Sequence, residues 1–225
     1  MTSGLDFNVK DENCTEDTCL FYRSEPGTEW YYYNAPYLIL RDVVEAAAGE
    51  NINVFINREI RDKTGITGLY TTLGFNHVYF ITARSMARFG LLMNASGSWN
   101  GTPVLDDPGF LTASVSTSQN LNESYGYLWW LPGKGQYRAP GFTQGFPGSF
   151  APDVPNGVYP DLGLNGQVVV VWAEKNIVIV RMGDAPDTGA VPFQLLNEIW
   201  TRLEPILIVN EWALIKPRAA AQQNR

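Results

Sequence analysis

Near its carboxyl end the chain spells out a β-hairpin, and that hairpin restricts the fold more than any other stretch. Val168 to Ala173 is an almost unbroken apolar run, Glu174-Lys175-Asn176 is a short polar turn, and Ile177-Val178-Ile179-Val180-Arg181-Met182-Gly183 runs back. Two β-prone segments joined by so short a turn pair antiparallel. Helical periodicity occupies much of the remainder. Pro36 suits a first helical position, Tyr37, Leu40, Val44 and Ala47 recur at helical spacing with Ile39, Val43 and Ala46 widening the stripe, and Gly49 ends it. A second helix starts at Asn51 as its cap and buries Ile52, Phe55, Ile56 and Ile60; a third runs from a Thr82 cap to Met93; a last one spans Val191 to Leu203, with Leu195, Leu196, Ile199 and Leu203 on one side. The expected class is therefore α+β, of the α/β sandwich type: an antiparallel sheet flanked by helices, plus a mostly helical part.

Between these anchors the expectations are coarser. Lys63-Thr64-Gly65 closes the second helix, lysine favouring the carboxyl-end dipole and glycine the left-handed cap. Residues 66–81, rich in glycine, threonine and aromatics, read as a connecting stretch, and His77 within it as a structural residue. Trp99 to Leu105 reads as a turn and short strand, Asp107 to Asn122 as a loop with a short helix, and Tyr125-Gly126-Tyr127-Leu128-Trp129-Trp130 as an aromatic strand. Pro132 to Pro160 is a Gly- and Pro-dense loop of the kind that borders binding sites, too aromatic (Tyr137, Phe142, Phe146, Phe150, Tyr159) for free disorder. The tail 204–225 contains an apolar piece, Ile206 to Val209 and Trp212 to Ile215, for which the sequence suggests no role, and then a polar end.

At 225 residues the chain can bury a sizeable core as one large or two small domains. A formal charge of −7 gives nucleic-acid binding no electrostatic support. No apolar run reaches the roughly 18 residues of a membrane span, and no leader with a basic start and apolar core opens these residues. Cys14 and Cys19 lie close enough in sequence to close a small disulfide ring, whereas a metal site would need more ligands and His77 is distant, so neither metal nor organic cofactor is implied. Sequons at Asn13, Asn94, Asn100 and Asn122, all in polar turn-like segments, join the cysteine pair in pointing to an exported, extracellular or periplasmic protein.

The chemistry centres on Ser24-Glu25-Pro26-Gly27-Thr28-Glu29-Trp30-Tyr31-Tyr32-Tyr33-Asn34. On an extended segment Tyr32 and Asn34 point the same way, bringing a phenol and a carboxamide to one side. This stretch resembles the Pro-Gly…Tyr-x-Asn motif of the β-lactamase and penicillin-binding-protein-like serine hydrolases, in the branch that holds class C β-lactamases, esterases, D-aminopeptidases and 6-aminohexanoate-dimer hydrolases. Other segments resemble the same family in the same order: Met1-Thr2-Ser3-Gly4-Leu5, the Thr82–Met93 helix with Gly97-Ser98-Trp99-Asn100-Gly101 after it, Tyr125-Gly126-Tyr127-Leu128-Trp129, and Gly163-Leu164-Asn165-Gly166-Gln167 followed by the hairpin. The likeness covers about residues 1–203, as a partial domain: 23–131 as its mainly helical, cleft-forming part and 160–203 as the terminal hairpin and helix of the sheet part.

The resemblance implies acyl transfer to an ester, amide or peptide, in which a serine of Ser-x-x-Lys attacks a carbonyl while the lysine and the tyrosine manage its proton. Carried over by position, Tyr32 is the general base and acid, Asn34 contacts the substrate, Leu164-Asn165-Gly166 takes the place of the family's Lys-Thr-Gly, and the Gln167 backbone N–H is an oxyanion donor. Two departures matter. Leu164 stands where relatives have the lysine that helps bind a β-lactam carboxylate, which turns the expectation from penicillins toward plain esters and amides. No Ser-x-x-Lys occurs in these residues; Ser85-Met86-Ala87-Arg88 ends in an arginine that stays protonated and follows Tyr32, against family order. The expectation is the carboxyl-terminal part of a longer hydrolase, its fold incomplete at the N-terminus and the missing segment its natural partner. The alternatives are a non-catalytic peptide- or partner-binding remnant of the same fold, and an enzyme whose nucleophile comes from another chain.

Overall fold

A computed structural model describes residues 1–184, 186 and 189–214. The first expected helix forms in two pieces, α1 (Asn34–Leu38) and α2 (Leu40–Ala48), and Gly49 closes it at φ 67°. Asn51 then caps α3 (Ile52–Ile56), its side chain accepting from the Asn53 N–H, and the helix passes through one π turn (Asn57–Arg61) into α4 (Asp62–Thr64). Gly65, at φ 70°, stops it. Lys63 pairs there with Glu59 at 2.6 Å and the Thr64 hydroxyl donates to the Ile60 carbonyl, so Lys63-Thr64-Gly65 is a helix end.

Residues 66–81 correct the sequence reading. They form a hairpin, β1 (Gly68–Leu73) against β2 (Asn76–Ile81), turning at Gly74-Phe75 with Gly74 at φ 63°. A glycine first in a two-residue loop supplies the positive φ that such hairpins need. His77 faces Thr72 across this hairpin, 3.2 Å from its hydroxyl, and its role is local.

Thr82 caps α5 (Ala83–Asn94) by accepting from the Ser85 N–H. A tight hairpin follows, β3 (Ser98–Trp99) and β4 (Thr102–Pro103), turning on Asn100-Gly101. Asp107 caps the short α6 (Pro108–Ser114). The expected aromatic strand 125–130 is instead a turn closed by a single bridge between Tyr125 and Trp130, with Leu128 at φ 68°. The reason lies in packing: Trp129 and Trp130 are both buried but in different clusters, one with Met93 and Val171, the other with Val170 and Trp200. Strand propensity yields to these two burials.

The long loop carries one two-residue ladder, β5 (Gln136–Tyr137) with β6 (Phe146–Pro147), and ends earlier than expected, in β7 (Tyr159–Gly163). β7, β8 (Gln167–Trp172) and β9 (Ile177–Arg181) make an antiparallel sheet in that order. Pro160 sits in the edge strand β7, where a missing donor is tolerated. Helix α7 (Phe193–Leu214) runs eleven residues past the expected end at Leu203 and includes Pro205. Ile215 and the polar end of the tail lie outside the described residues.

Sheet and helices form three layers. Val169 and Val171 pack toward α5 with Met93 and Phe89, while Val168 and Val170 pack toward α7 with Leu196 and Trp200. Both faces of β8 are therefore covered, which is why its sequence is apolar without alternation. A disulfide joins Cys14 and Cys19. Among the sequons Asn122 is wholly buried, its amide bonded both ways to the Arg138 backbone at 3.3 and 3.2 Å, which corrects its reading as a surface acceptor. No helix among the described residues is long and apolar enough to cross a membrane.

Candidate functional site

Tyr32 and Asn34 line one cavity of about 650 Å³, while Tyr33 between them turns away and is buried. Tyr31 lines the cavity as well and Asn34 already opens a helix, so the strict alternation of an extended segment does not hold here. Tyr32 is set by rings: its own stacks on Trp130 at 6.0 Å and meets the edge of Tyr125 at 6.2 Å. Asn34 opens α1, and its amide donates to the Asn13 carboxamide oxygen at 2.9 Å. Glu12 accepts from the Tyr31 hydroxyl at 3.1 Å, and its carbonyl accepts the Ala35 N–H at 2.9 Å. The loop tied by the Cys14–Cys19 disulfide thus becomes a wall of the cavity through Glu12 and Asn13.

The opposite wall is the end of β7: Asp161, Leu162, Gly163 and then Leu164. Asn165, Gly166 and Gln167 do not line the cavity. Leu164-Asn165-Gly166 is the turn between β7 and β8, with Asn165 and Gly166 at φ 60° and 75°. The Gln167 side chain donates to the Gly183 carbonyl at 3.0 Å and accepts from the Gly183 N–H at 3.3 Å, pinning this turn to the end of β9. Of the residues singled out in the sequence, Tyr32, Asn34 and Leu164 come together around the cavity, and Asn165, Gly166 and Gln167 sit just outside it. The residue missed is Asp161. Its sequence signal was faint: one acid, two places before Gly163 of Gly-x-x-Gly-Gln, on the strand side that alternates away from the buried Pro160 and Leu162.

The cavity is acidic and aromatic. Glu12 and Asp161 line it together with Tyr31, Tyr32, Tyr37 and Tyr125, and no lysine, arginine or histidine is among its described lining residues. Burial pushes the Asp161 carboxyl up from an ordinary 3.8 to about 6. Burial also pushes the Tyr32 phenol above the tyrosine range, with Tyr37 and the Asp161 charge adding to the effect and a contact from Tyr125 opposing it. Tyr125 is likewise raised well above the ordinary tyrosine value, again chiefly by burial. The net effect is a Tyr32 phenol that stays protonated at neutral pH in this arrangement.

The Ser85…Arg88 look-alike is spent on structure. Ser85 is buried, its hydroxyl 3.1 Å from that of Thr67, and the Arg88 guanidinium donates to the Gly65 carbonyl at 2.8 Å. The pair fastens α5 to the end of α4. Among the described residues no group of histidine, cysteine or acidic side chains is arranged to hold a metal ion.

The sequence matches no protein-family model and no curated protein. Solved structures do match. A protein named as a candidate 6-aminohexanoate-dimer hydrolase from Bacillus anthracis superposes with a TM-score of 0.60 at 20% identity, covering 84% of this chain and 48% of its own. A protein named as a candidate β-lactamase from Bacteroides dorei DSM 17855 gives 0.59 at 17% identity, covering 89% and 69%. At these identities the likeness is one of fold. The chain has a β-lactamase-like fold and spans about half the length of the first of these structures.

Proposed function

We propose that the chain supplies the substrate-binding walls of a serine hydrolase that transfers the acyl group of an ester or amide, with a nucleophile that these residues do not contain. The observation that carries this reading is the cavity itself. It brings Tyr32 and Asn34 together with the end of β7, Asp161 to Leu164, and this supports reading it as a substrate site. The volume suits a small molecule, since such sites run to roughly 300–1,000 Å³. In this reading Asn34 holds a substrate amide, and Tyr32 relays a proton once a Ser-x-x-Lys segment brings a cation beside it to lower its phenol. The end of β7, Asp161-Leu162-Gly163, fills the role expected of a late strand at the site's edge, in place of the Leu164-Asn165-Gly166 turn. The disulfide supports an extracellular or periplasmic location.

A second reading, a binding protein without catalysis, is favoured by the high phenol of Tyr32 and by a cavity with no lysine, arginine or histidine among its described lining residues. One experiment separates the two. The chain is assayed on nitrophenyl esters alone and with a Ser-x-x-Lys-bearing chain added or fused. Hydrolysis is expected only in the second case, with Tyr32→Phe lowering kcat by about 10²–10⁴-fold, the usual weight of a positioned acid–base group. No hydrolysis in either case favours the binding reading, whereas full activity in Tyr32→Phe removes Tyr32 from the chemistry.

A further inference from the structure

The carboxamide of Asn34 is held in one sense by a short relay that begins outside the cavity. One Asp11 carboxylate oxygen accepts both the Asn13 backbone N–H at 2.9 Å and the Asn13 Nδ2 at 3.2 Å. A carboxylate only accepts, so the Asn13 Nδ2 must face it and the Asn13 Oδ1 must face away. That oxygen takes the Asn34 Nδ2 at 2.9 Å, which turns the Asn34 Oδ1 away from the loop. Asn13 and Asn34 both line the cavity, so the relay ends at the site.

The loop that carries the relay has little else to hold it. Within residues 8–20 Cys14 alone is buried, and Asp11, Glu12, Glu16 and Asp17 stand against the single cation Lys10. Among the described residues three hydrogen bonds tie this segment to the Tyr31–Ala35 stretch: the two to Glu12 and the one to Asn13. Ordering so long a segment costs more than three such bonds return, and the like charges add to the cost. The disulfide makes the difference, because it closes the ring 14–19 directly after Asn13 and restricts the loop before it docks.

We propose that the Cys14–Cys19 disulfide is a redox latch on the site, and that Asn13 is the positioning residue through which it acts. Oxidised, the ring holds Asn13 against Asn34 and keeps the Asn34 amide in one sense. Reduced, the loop leaves the cavity wall and the Asn34 amide turns freely. The consequence for a substrate rests on the reading of Asn34 as a substrate contact; the latch itself rests on the loop alone.

The two sulfurs differ in access: Cys14 is 3% exposed, while Cys19 is partly open to solvent. A dithiol reductant therefore enters at Cys19. Its thiolate bonds to the Cys19 Sγ, the bond between the two Sγ atoms breaks, and the electron pair leaves with Cys14, which takes up a proton. The second thiol of the reductant then displaces Cys19, which is protonated in turn, and the reductant departs as its own disulfide. Two electrons and two protons pass to the cysteine pair.

The test is nuclear magnetic resonance on the full chain, oxidised and after dithiothreitol, following two signals. One is hydrogen exchange of the Ala35 amide, whose partner is the Glu12 carbonyl. The other is the pair of Asn34 side-chain amide protons, identified by their loss in Asn34→Ser. Expected on reduction is Ala35 exchange at least about tenfold faster, an upfield shift of the Asn34 proton that Asn13 holds, and unchanged protection along β8. Asn13→Ala should give the same Asn34 shift without reduction. Reducing that variant should still speed Ala35 exchange but move the Asn34 signal no further, a non-additivity that a merely structural bond would not produce. Unaltered Ala35 exchange on reduction, or β8 amides that lose protection together with it, overturns the latch. An Asn34 signal that stays in place in Asn13→Ala, or that reduction still moves in that variant, overturns the role of Asn13. Failure of the ester assays removes the hydrolase reading and leaves both signals as expected here.

Discussion

Asp161 shows how a single residue can be invisible in sequence and central in space. Tyr32 and Asn34 were singled out because strand alternation would put them on one side, and both line the cavity, though with Tyr31 beside them. Asp161 was not, because the Gly- and Pro-rich run before it hides a strand whose pairing depends on β8. Its burial has a consequence for stability. The folded value of about 6 lies above the ordinary 3.8, so the folded state holds the proton more tightly than the unfolded chain. The contribution is fully present below pH 4 and is lost as pH rises through about 6, leaving a cost of at most about 3 kcal/mol for the ionised group, reduced by the solvent that reaches this part-exposed side chain. Asp161→Asn should therefore stabilise the unliganded chain at pH 8 by up to that amount and make no difference near pH 3.5, as read by urea unfolding at both pH values. A variant less stable than the parent at pH 8 would show that the carboxylate already has a partner.

Among the elements, those with strong local signals were legible: the capped helices, the Gly65 stop and the β8–β9 hairpin. The ones missed are those where tertiary packing overrides local preference. β1–β2 lacks a clear alternation, with Leu69, Leu73 and Phe80 all exposed on it. The 125–130 turn bends so that two adjacent tryptophans reach two clusters. α5 shows the converse, a helix whose fit to the sheet is set by one absence. A Cβ on Gly90 would lie 2.5 Å from Val178 Cγ1 and 3.3 Å from Val169 Cγ1. A β-branched valine has little freedom to move aside. Gly90→Ala would gain about 1 kcal/mol of helix propensity, against an overpacking cost of about 1–3 kcal/mol. The expected outcome is a lower denaturation midpoint, and an alanine variant more stable than the parent would mean that α5 stands further from the sheet than it does here.

For the whole molecule, the three layers place one cavity between the Tyr32–Asn34 segment, the disulfide-tied loop and the edge of the sheet. The layers were foreseen from one hairpin and its flanking helices, and the solved structures it resembles share that arrangement. The claim that holds the account together is that the site has walls but no nucleophile of its own. Every Ser-x-x-Lys-like element is absent or, like Ser85, locked into packing. The most direct measurement is intact-mass spectrometry of the folded chain after exposure to a fluorophosphonate that labels activated serines. The account predicts an unmodified mass, with label appearing only on an added Ser-x-x-Lys-bearing chain. A stoichiometric adduct mapped to one of this chain's own serines would contradict it.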